Sequence, residues 1–338
     1  MYFFQLPAFV KFMTTAVLAI SLSGFMLFQS SHASNPVEFV DYQKVLQEER
    51  AWAGLSTKTL RVGDVVWSYS EGGQANKPTL LLIHGIGNSR DTWNLVAHQL
   101  SKQYHVIIPD LPGSGNTKTA KNFEMTLPHI TEQLRRFVET ANIQNNLHIA
   151  GHSVGGSIAL LYASKYNFDT ESLFLISAGG LFKHNQTSYL NNPAYLKQLV
   201  VAQPGDLNFV MNKIMYNPPF IPSVIKKQQE KLMISHSLDT AKLITHLLDM
   251  NKLYSINTFA AMLKNIEAPT FILWGKQDQI VNVEVATDLK TSLKHARQPV
   301  ILDQVGHLPI IEAPERVTQH YIEFLNTLKL EQPTQPKP

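Results

Sequence analysis

Cysteine is absent from all 338 residues of the sequence. Its absence excludes disulfide bonds, thiolate metal sites and a cysteine nucleophile. The formal net charge is only +3 and the basic residues are scattered, so the sequence indicates no nucleic-acid partner. G-x-G-x-x-G and Walker A motifs are also absent, and the 13 histidines show no H-E-x-x-H or H-x-H spacing. The histidine spacing therefore indicates no metal site.

The first 33 residues have the pattern of a targeting segment, a signal peptide or an N-terminal membrane anchor. Residues 12–28 are uncharged and apolar, and Ser31 and Ala33 stand at the −3 and −1 positions of a signal-peptidase site. The stretch is long for a cleaved signal and short for a spanning helix, so both alternatives stay open. Either alternative exports the body across the cytoplasmic membrane, as a periplasmic, membrane-anchored or secreted protein. The polar, Pro-rich residues 331–338 predict a disordered tail.

Short apolar runs recur along the body of the chain, with helical patterns between them. Near-continuous apolar runs are typical of strands covered on both faces, as in a parallel sheet between layers of helices. A hairpin at 58–73, with Gly63 and Asp64 at its turn, precedes them. The predicted fold class is therefore α/β, with a mostly parallel, doubly wound sheet. The predicted buried strands are 79–85, 105–110, 147–151, 172–178, 270–275 and 299–305.

One long interval interrupts this alternation. Residues 181–266 contain no apolar strand pattern but several helical patterns joined by Pro turns. Such an insertion predicts a helical cap over the C-terminal edge of the sheet, where open α/β sheets bind ligands. The cap would separate a first part of the core, 34–180, from a second part, 267–330. Its Met- and aromatic-rich residues 209–222 form either ordinary helix packing or a lid that lines an acyl-chain pocket.

The motif GHSVG places Ser153 between Gly151 and Gly155, where a predicted strand meets a predicted helix. A serine at this position could simply cap the helix. The pattern G-x-S-x-G between strand and helix also matches a nucleophile elbow, a strained turn that exposes a serine hydroxyl. The two glycines let the strand and helix backbones approach each other. Catalysis would further require a base, an orienting acid and an oxyanion site.

Candidate partners for Ser153 follow the last two predicted strands. Asp278 comes just after strand 270–275, and His307 just after strand 299–305. The order Ser, Asp, His is the one found in the α/β-hydrolase arrangement. His307 would take the serine proton as general base, and Asp278 would orient the imidazole. Considered singly, Asp278 could be a turn residue and His307 a loop histidine, but the ordered set of three favours catalysis.

The residues after the first buried strand predict an oxyanion site. The segment HGIGN begins at His84, and the chain can turn sharply at Gly85. The backbone N–H groups of Ile86 and Val154 are expected to converge on a substrate oxygen. We expect His84 to be structural, and we assign no chemistry to Asp110 in the next strand-end loop.

Five motifs together resemble those of the α/β-hydrolase superfamily over residues 67–328: HGIGNSRDTW, PDLPGSG, GHSVGG, WGKQDQIV and VGHLPIIEAPE. SYSEGG, NPPFIPSVIK and WGKQDQIV also look like segments of bacterial family V lipases and of membrane-anchored monoacylglycerol lipases. The resemblance implies Ser153 as nucleophile, Asp278 as acid and His307 as base. It also implies hydrolysis of carboxylic esters without a cofactor, and an N-terminal signal or anchor is compatible with both groups.

The predicted function is that of a serine hydrolase that cleaves acylglycerols or other lipid esters through an acyl-enzyme, at a membrane surface. A carbon–carbon hydrolase of ring-cleavage dienones shares the SVGG elbow and the helical cap, but an export segment argues against it. A non-catalytic binding protein on this fold would normally have lost one triad member, whereas all three are present. The sequence indicates no acyl-chain length, no mono- or triacylglycerol preference and no oligomeric state.

Overall fold

The computed structural model of the protein describes residues 41–182 and 193–331. The predicted signal or anchor, 1–33, lies outside the described residues, and so do residues 332–338 of the predicted tail. Glu331, the first residue of that predicted tail, still belongs to the last helix. Within the described ranges, no helix combines the length and the apolar character that crossing a membrane requires.

Eight strands of the described chain form one sheet, in the spatial order β1-β2-β4-β3-β5-β6-β7-β8. The predicted hairpin β1–β2 is antiparallel, and β2 also pairs antiparallel with β4. All other neighbours pair in parallel, so the predicted mostly parallel α/β sheet is confirmed. The strands are β1 (Leu55–Val62), β2 (Val65–Gly72), β3 (Thr79–Ile83), β4 (His105–Pro109), β5 (Leu147–His152), β6 (Ser172–Ile176), β7 (Thr270–Gly275) and β8 (Val300–Leu302).

Helices alternate with these strands and also fill the interval between β6 and β7. The core helices are α1 (Tyr42–Trp52), α2 (Asn94–Leu100), α3 (Leu127–Thr140), α4 (Val154–Lys165), α10 (Val285–Ser292), α11 (Pro309–Glu312) and α12 (Pro314–Glu331). The helices between β6 and β7 are α5 (Pro193–Lys197), α6 (Asp206–Ile214), α7 (Ser223–Ser235), α8 (Ser237–Leu253) and α9 (Ile256–Leu263). Short 3-10 turns span Arg90–Trp93 and Asn167–Asp169.

Helix α1 has no counterpart among the sequence predictions. Its N-terminus is capped by Asp41, whose carboxylate accepts the backbone N–H groups of Gln43 and Lys44. Because its sequence is mostly polar, the helix buries little beyond Leu46 and Arg50. Arg50 then pairs with Asp91 in the loop after β3, at 2.6 and 2.7 Å. This ion pair attaches α1 to the C-terminal edge of the sheet.

The sheet is buried on both faces because successive apolar side chains along a strand point to opposite faces. Leu80 and Leu82 in β3 point into one hydrophobic cluster, and Leu81 and Ile83 point into the other. All five residues of β3, β4 and β6 are buried, which explains their continuous apolar sequences. The sheet is therefore a central layer between two hydrophobic clusters, and its parallel strands end in a row of loops at its C-terminal edge.

The strand order locates the crevice at this edge. From β3 the chain passes to β4 on one side and then returns to β5 on the other side of β3. Loops leaving β3 and β5 in opposite directions open a crevice at the carboxyl ends of these strands. Helices α5 to α9 lie in the chain between β6 and β7, and several of them line this crevice. The predicted site residues are placed in the loops at the same edge.

Candidate active site

Ser153 stands on a strained turn between β5 and α4. Its backbone has φ +55° and ψ −118°. Residues other than glycine adopt such a positive φ only under constraint. The backbone N–H of Ser153 donates to the carbonyl of Ile176 at 3.0 Å, which holds the turn against β6. This conformation matches the strained turn of a nucleophile elbow, and the Ser153 side chain makes no helix-capping hydrogen bond.

The two motif glycines are required by close backbone contacts. A Cβ on Gly151 would lie 2.3 Å from the carbonyl oxygen of Gly155, and one on Gly155 would lie 2.3 Å from that of Ile83. Real Cβ atoms do not approach backbone atoms so closely, so strand, turn and helix pack only without side chains at these positions. The glycine spacing thus fixes the position of Ser153 relative to β3.

The structure brings the three predicted triad residues together. The Nε2 atom of His307 lies 2.9 Å from the Oγ of Ser153, and its Nδ1 lies 2.8 Å from Oδ2 of Asp278. The second carboxylate oxygen of Asp278 accepts the backbone N–H groups of Ile280 and Val281 at 2.8 and 2.9 Å. These bonds fix the carboxylate. An Nδ1–H donated to Asp278 leaves the Nε2 lone pair directed at the serine hydroxyl.

The predicted oxyanion residues line the same cavity as Ser153 and His307. Neither Ile86 nor Val154 donates its backbone N–H to an acceptor among the described residues. Gly85 brings their two loops into contact, because a Cβ there would lie 3.2 Å from the Cβ of Ser153. Two unengaged N–H groups beside the serine can donate hydrogen bonds to an oxyanion.

Two buried histidines flank the site without joining the Ser–His–Asp chain of contacts. His84 donates from Nδ1 to the carbonyl of Gly85 at 2.8 Å, and its Nε2 accepts the N–H of Leu111 at 3.0 Å. His152 directs its Nε2 to the backbone carbonyl of His307 at 2.6 Å. Burial, and then the nearby His307 ring, lower the pKa of His152 to about 3. His152 is therefore neutral at physiological pH and adds no positive charge beside His307.

Ser153 opens into an apolar cavity, whose empty space is about 930 Å³ when its opening to solvent is included. Segment 209–222 contributes to its wall, because Val210 and Ile214 face the cavity. Phe209, Tyr216 and Phe220 of the same segment instead have 50%, 48% and 72% of their surface exposed. The segment therefore has a cavity side and an exposed aromatic side. Further apolar lining residues are Leu181, Leu196, Leu199, Met233, Leu247 and Met250.

Asp110 supports the loops around the site, a role that the sequence analysis did not assign to it. Its carboxylate accepts the backbone N–H of Arg90 at 2.8 Å and that of Asn116 at 2.9 Å. It also forms an ion pair with the Arg90 guanidinium, and both side chains are buried. The position of Asp110 directly after a buried strand was the only sequence signal for this role.

Glu312 is a second supporting residue that the sequence pattern did not indicate. Its carboxylate accepts four backbone N–H groups, two beside the predicted base and two from the segment after α6. The donors are Gly306 at 3.0 Å, Leu308 at 3.3 Å, Tyr216 at 2.7 Å and Asn217 at 3.2 Å. The backbone N–H of His307 also donates to the Ile214 carbonyl at 2.7 Å. The loop that carries His307 is thus attached directly to the segment that walls the cavity.

We expect Glu312→Gln to lower kcat by about tenfold to a hundredfold, because small displacements of a catalytic group have effects of this size. The glutamine amide would point N–H groups at backbone N–H donors, so the His307 loop would shift while KM changes little. Steady-state kinetics on a soluble ester measures both constants. Glu315→Gln, an exposed neighbour, is the matched control. Unchanged kcat in Glu312→Gln would show that the loop holds His307 without this carboxylate.

Comparison with known proteins agrees with the fold. The family model described as alpha/beta hydrolase fold matches residues 78–214. Lipase 1 of Psychrobacter immobilis is 29% identical over 93% of this chain and 96% of its own length. The monoacylglycerol lipase ABHD6 of Homo sapiens is 26% identical over 82% of this chain and 84% of its own. The predicted resemblance to both groups of lipases is confirmed.

A solved structure with higher identity extends the match across the fold. The crystal structure of a protein assigned as a lipase, lip1 of Acinetobacter baumannii AYE, is 54% identical to this chain. The match covers 90% of this chain and all of that chain, with a TM-score of 0.85. Identity at this level over a whole chain shows common family membership. The present chain belongs to the α/β-hydrolase family.

Proposed function

We propose that the protein is a serine hydrolase that cleaves lipid esters, with Ser153 as nucleophile, His307 as general base and Asp278 as the orienting acid. The observation that carries the proposal is the pair of contacts at His307, 2.9 Å to the serine Oγ and 2.8 Å to the Asp278 carboxylate. The similarity to lipases makes the protein a carboxylic ester hydrolase. The roles of the individual residues are our inference from their geometry.

The first half of the reaction transfers the acyl group to Ser153. As the Oγ attacks the ester carbonyl carbon, its proton passes to Nε2 of His307, and Asp278 stabilises the imidazolium. The N–H groups of Ile86 and Val154 would bind the negatively charged carbonyl oxygen of the tetrahedral intermediate. When this intermediate collapses, the alcohol leaves with the proton from His307. The acyl group then remains on Ser153 as an ester.

The second half regenerates the enzyme with one water molecule. His307 removes a proton from water, whose oxygen attacks the acyl-enzyme carbonyl. The same two N–H groups stabilise the second oxyanion, and collapse returns the proton to Ser153 as the fatty acid leaves. Water and ester are the only reactants, so this chain's side chains and backbone suffice for the proposed chemistry.

A lipid ester fits the cavity better than a small polar ester. The space beside Ser153 is walled mainly by aliphatic and methionine side chains, which stabilise an acyl chain by removing it from water. We propose residues 181–266 as the cap domain that sets this preference, inserted between core parts 34–180 and 267–330. Acylglycerols are the proposed substrate class, in keeping with the acylglycerol lipase among the relatives.

We also propose that the protein is exported and works at a membrane surface. Residues 1–33 support export through their apolar stretch and their signal-peptidase pattern. The exposed aromatic side of segment 209–222 supports contact with lipid. Its side chains Phe209, Tyr216 and Phe220 are of the kind that partitions into the interfacial region of a bilayer. A protein attached there would receive its substrate from the membrane.

The proposal is tested by hydrolysis assays on the purified body beginning near residue 34. The substrates are a monoacylglycerol, a triacylglycerol emulsion, short and long p-nitrophenyl esters, and a ring-cleavage dienone. Ser153→Ala protein provides the blank for each substrate. We expect serine-dependent cleavage of long-chain esters and acylglycerols. Cleavage of the dienone without any ester cleavage would replace the proposed function by carbon–carbon hydrolysis on the same fold.

A further inference from the structure

A second cavity, whose empty space is about 1370 Å³ when its opening to solvent is included, adjoins the cavity that contains Ser153. It lies among α1, the helices α6 and α7, and the loops that follow β3 and β4. The two cavities share part of their walls, so they are neighbouring compartments and not separate sites. The shared lining residues are Gly87, Asn88, Leu199, Val210, Ile214, Met233 and Leu308.

Helix α6 forms the partition between the two compartments. Val210 and Ile214 contact both cavities, whereas Leu207 and Met211, on the same helix, contact only the second. These four side chains are apolar, and Leu207 and Met211 are buried. The partition thus offers an apolar surface to each compartment, and an apolar chain in either one would be removed from water.

The chemistry of the second compartment favours a neutral lipid chain. Among the described residues, its lining includes many aliphatic side chains but no lysine or arginine. Glu49 and Asp91 also line it; burial, and then the nearby Asp91, raise the pKa of Glu49 to about 8, and Asp91 is balanced by its ion pair with Arg50. Glu49 is therefore largely uncharged at physiological pH, and a phosphate or carboxylate ligand would find no lysine or arginine among the described lining residues to neutralise it. Asn88, at the junction, offers a neutral amide to an ester or hydroxyl oxygen.

We propose that the second cavity holds the non-scissile hydrocarbon chain of a neutral two-chain glycerolipid, while the scissile acyl chain occupies the cavity beside Ser153. This inference rests on the proposed ester hydrolysis and specifies its substrate as a diacylglycerol-like lipid. Both cavities are lined by Gly87 and Asn88, next to the oxyanion loop, so a glycerol unit bound there would direct one chain into each. A single-chain ester would leave the second cavity without a ligand chain.

The test uses 1-acyl-2-O-alkylglycerols, which contain one cleavable ester and one uncleavable ether chain. The acyl chain is kept constant and the alkyl chain is varied from methyl to hexadecyl, in detergent mixed micelles. Each buried methylene contributes up to about fourfold in binding, so we expect kcat/KM to rise at least about tenfold between methyl and decyl. Released fatty acid reports cleavage of the single ester bond.

Three tryptophan variants locate the ether chain. Val45 on α1 and Gln229 on α7 line only the second cavity, and Leu247 on α8 lines only the first. We expect Val45→Trp and Gln229→Trp to abolish the gain from a longer alkyl chain while hydrolysis of the methyl ether stays within about threefold. Leu247→Trp should lower kcat/KM for every member of the series. Thermal melting checks that each variant is folded.

The outcomes separate the inference from the function on which it rests. Absence of Ser153-dependent cleavage for the whole series would contradict the proposed ester hydrolysis itself. Two results would overturn the two-chain inference and leave ester hydrolysis standing. One is cleavage that does not rise with alkyl length. The other is a rise in both Val45→Trp and Gln229→Trp that equals the rise in the wild type. The same lipid with a phosphate on its free hydroxyl is the anionic comparison. A higher kcat/KM for this phosphate-bearing lipid than for the neutral lipid would overturn the assignment of a neutral ligand.

Discussion

Ser153→Ala will lower the turnover of every ester substrate by at least about 10⁴-fold and leave the fold intact. Alanine retains the Cβ and therefore the strained backbone of the elbow, but it removes the atom that attacks the carbonyl in the proposed mechanism. Because the Ser153 side chain makes no helix-capping bond, its loss affects chemistry and not helix α4. Steady-state kinetics and labelling by a serine-reactive fluorophosphonate measure the effect, and circular dichroism with thermal melting checks the fold.

The controls for this prediction use the same helix and the same triad. Ser164→Ala in α4 removes a hydroxyl that donates to the Leu161 carbonyl at 2.9 Å, and its turnover should equal that of the wild type. The double variant Ser153→Ala, His307→Ala should be no slower than Ser153→Ala alone, because a base without a nucleophile contributes nothing. Turnover above one per cent in Ser153→Ala would remove Ser153 from the proposed mechanism.

The elbow and the order of the site residues could be predicted because their signals are local. Glycine spacing around Ser153, and apolar runs ending just before Asp278 and His307, each depend on a few adjacent residues. Parallel strands end at a common edge, so residues that follow them are expected near one another. The structure brings these three side chains within hydrogen-bond distance. The α/β sheet followed from the same apolar runs.

The supporting contacts could not be predicted because they join segments distant in sequence. Glu312 binds backbone groups some 95 residues away, at Tyr216 and Asn217, and no local pattern specifies which N–H groups will face it. Helix α1 was not predicted because its sequence is mostly polar. Its attachment to the core depends on the pairing of Arg50 with Asp91, which are distant in sequence. The second cavity is likewise enclosed by elements that meet only in the folded chain.

Asp110→Ala will lower the free energy of unfolding by about 3–5 kcal/mol, the usual cost of removing one partner of a buried ion pair. The substitution leaves the buried guanidinium of Arg90 without its carboxylate, and Ser68 remains as a neutral partner at 2.7 Å. Urea denaturation at pH 7 measures the loss. Asp249→Ala breaks a mostly exposed pair with Lys252 and should change stability by less than about 1 kcal/mol. If Asp110→Ala also lowered the free energy of unfolding by less than about 1 kcal/mol, water or another acceptor would have to bind the Arg90 guanidinium in the variant.

Replacing both partners of the ion pair distinguishes the cost of an unpaired buried charge from the cost of the lost backbone hydrogen bonds. In Arg90→Met, Asp110→Leu no buried charge is left unpaired, so part of the lost stability should return. Recovery should be incomplete, because the backbone N–H groups of Arg90 and Asn116 also lose their shared acceptor, at about 1–3 kcal/mol for each unsatisfied group. Those two groups belong to the loops after β3 and β4, and the first loop carries Ile86. We therefore expect kcat of the double variant, measured well below its unfolding midpoint, to stay about tenfold below wild type.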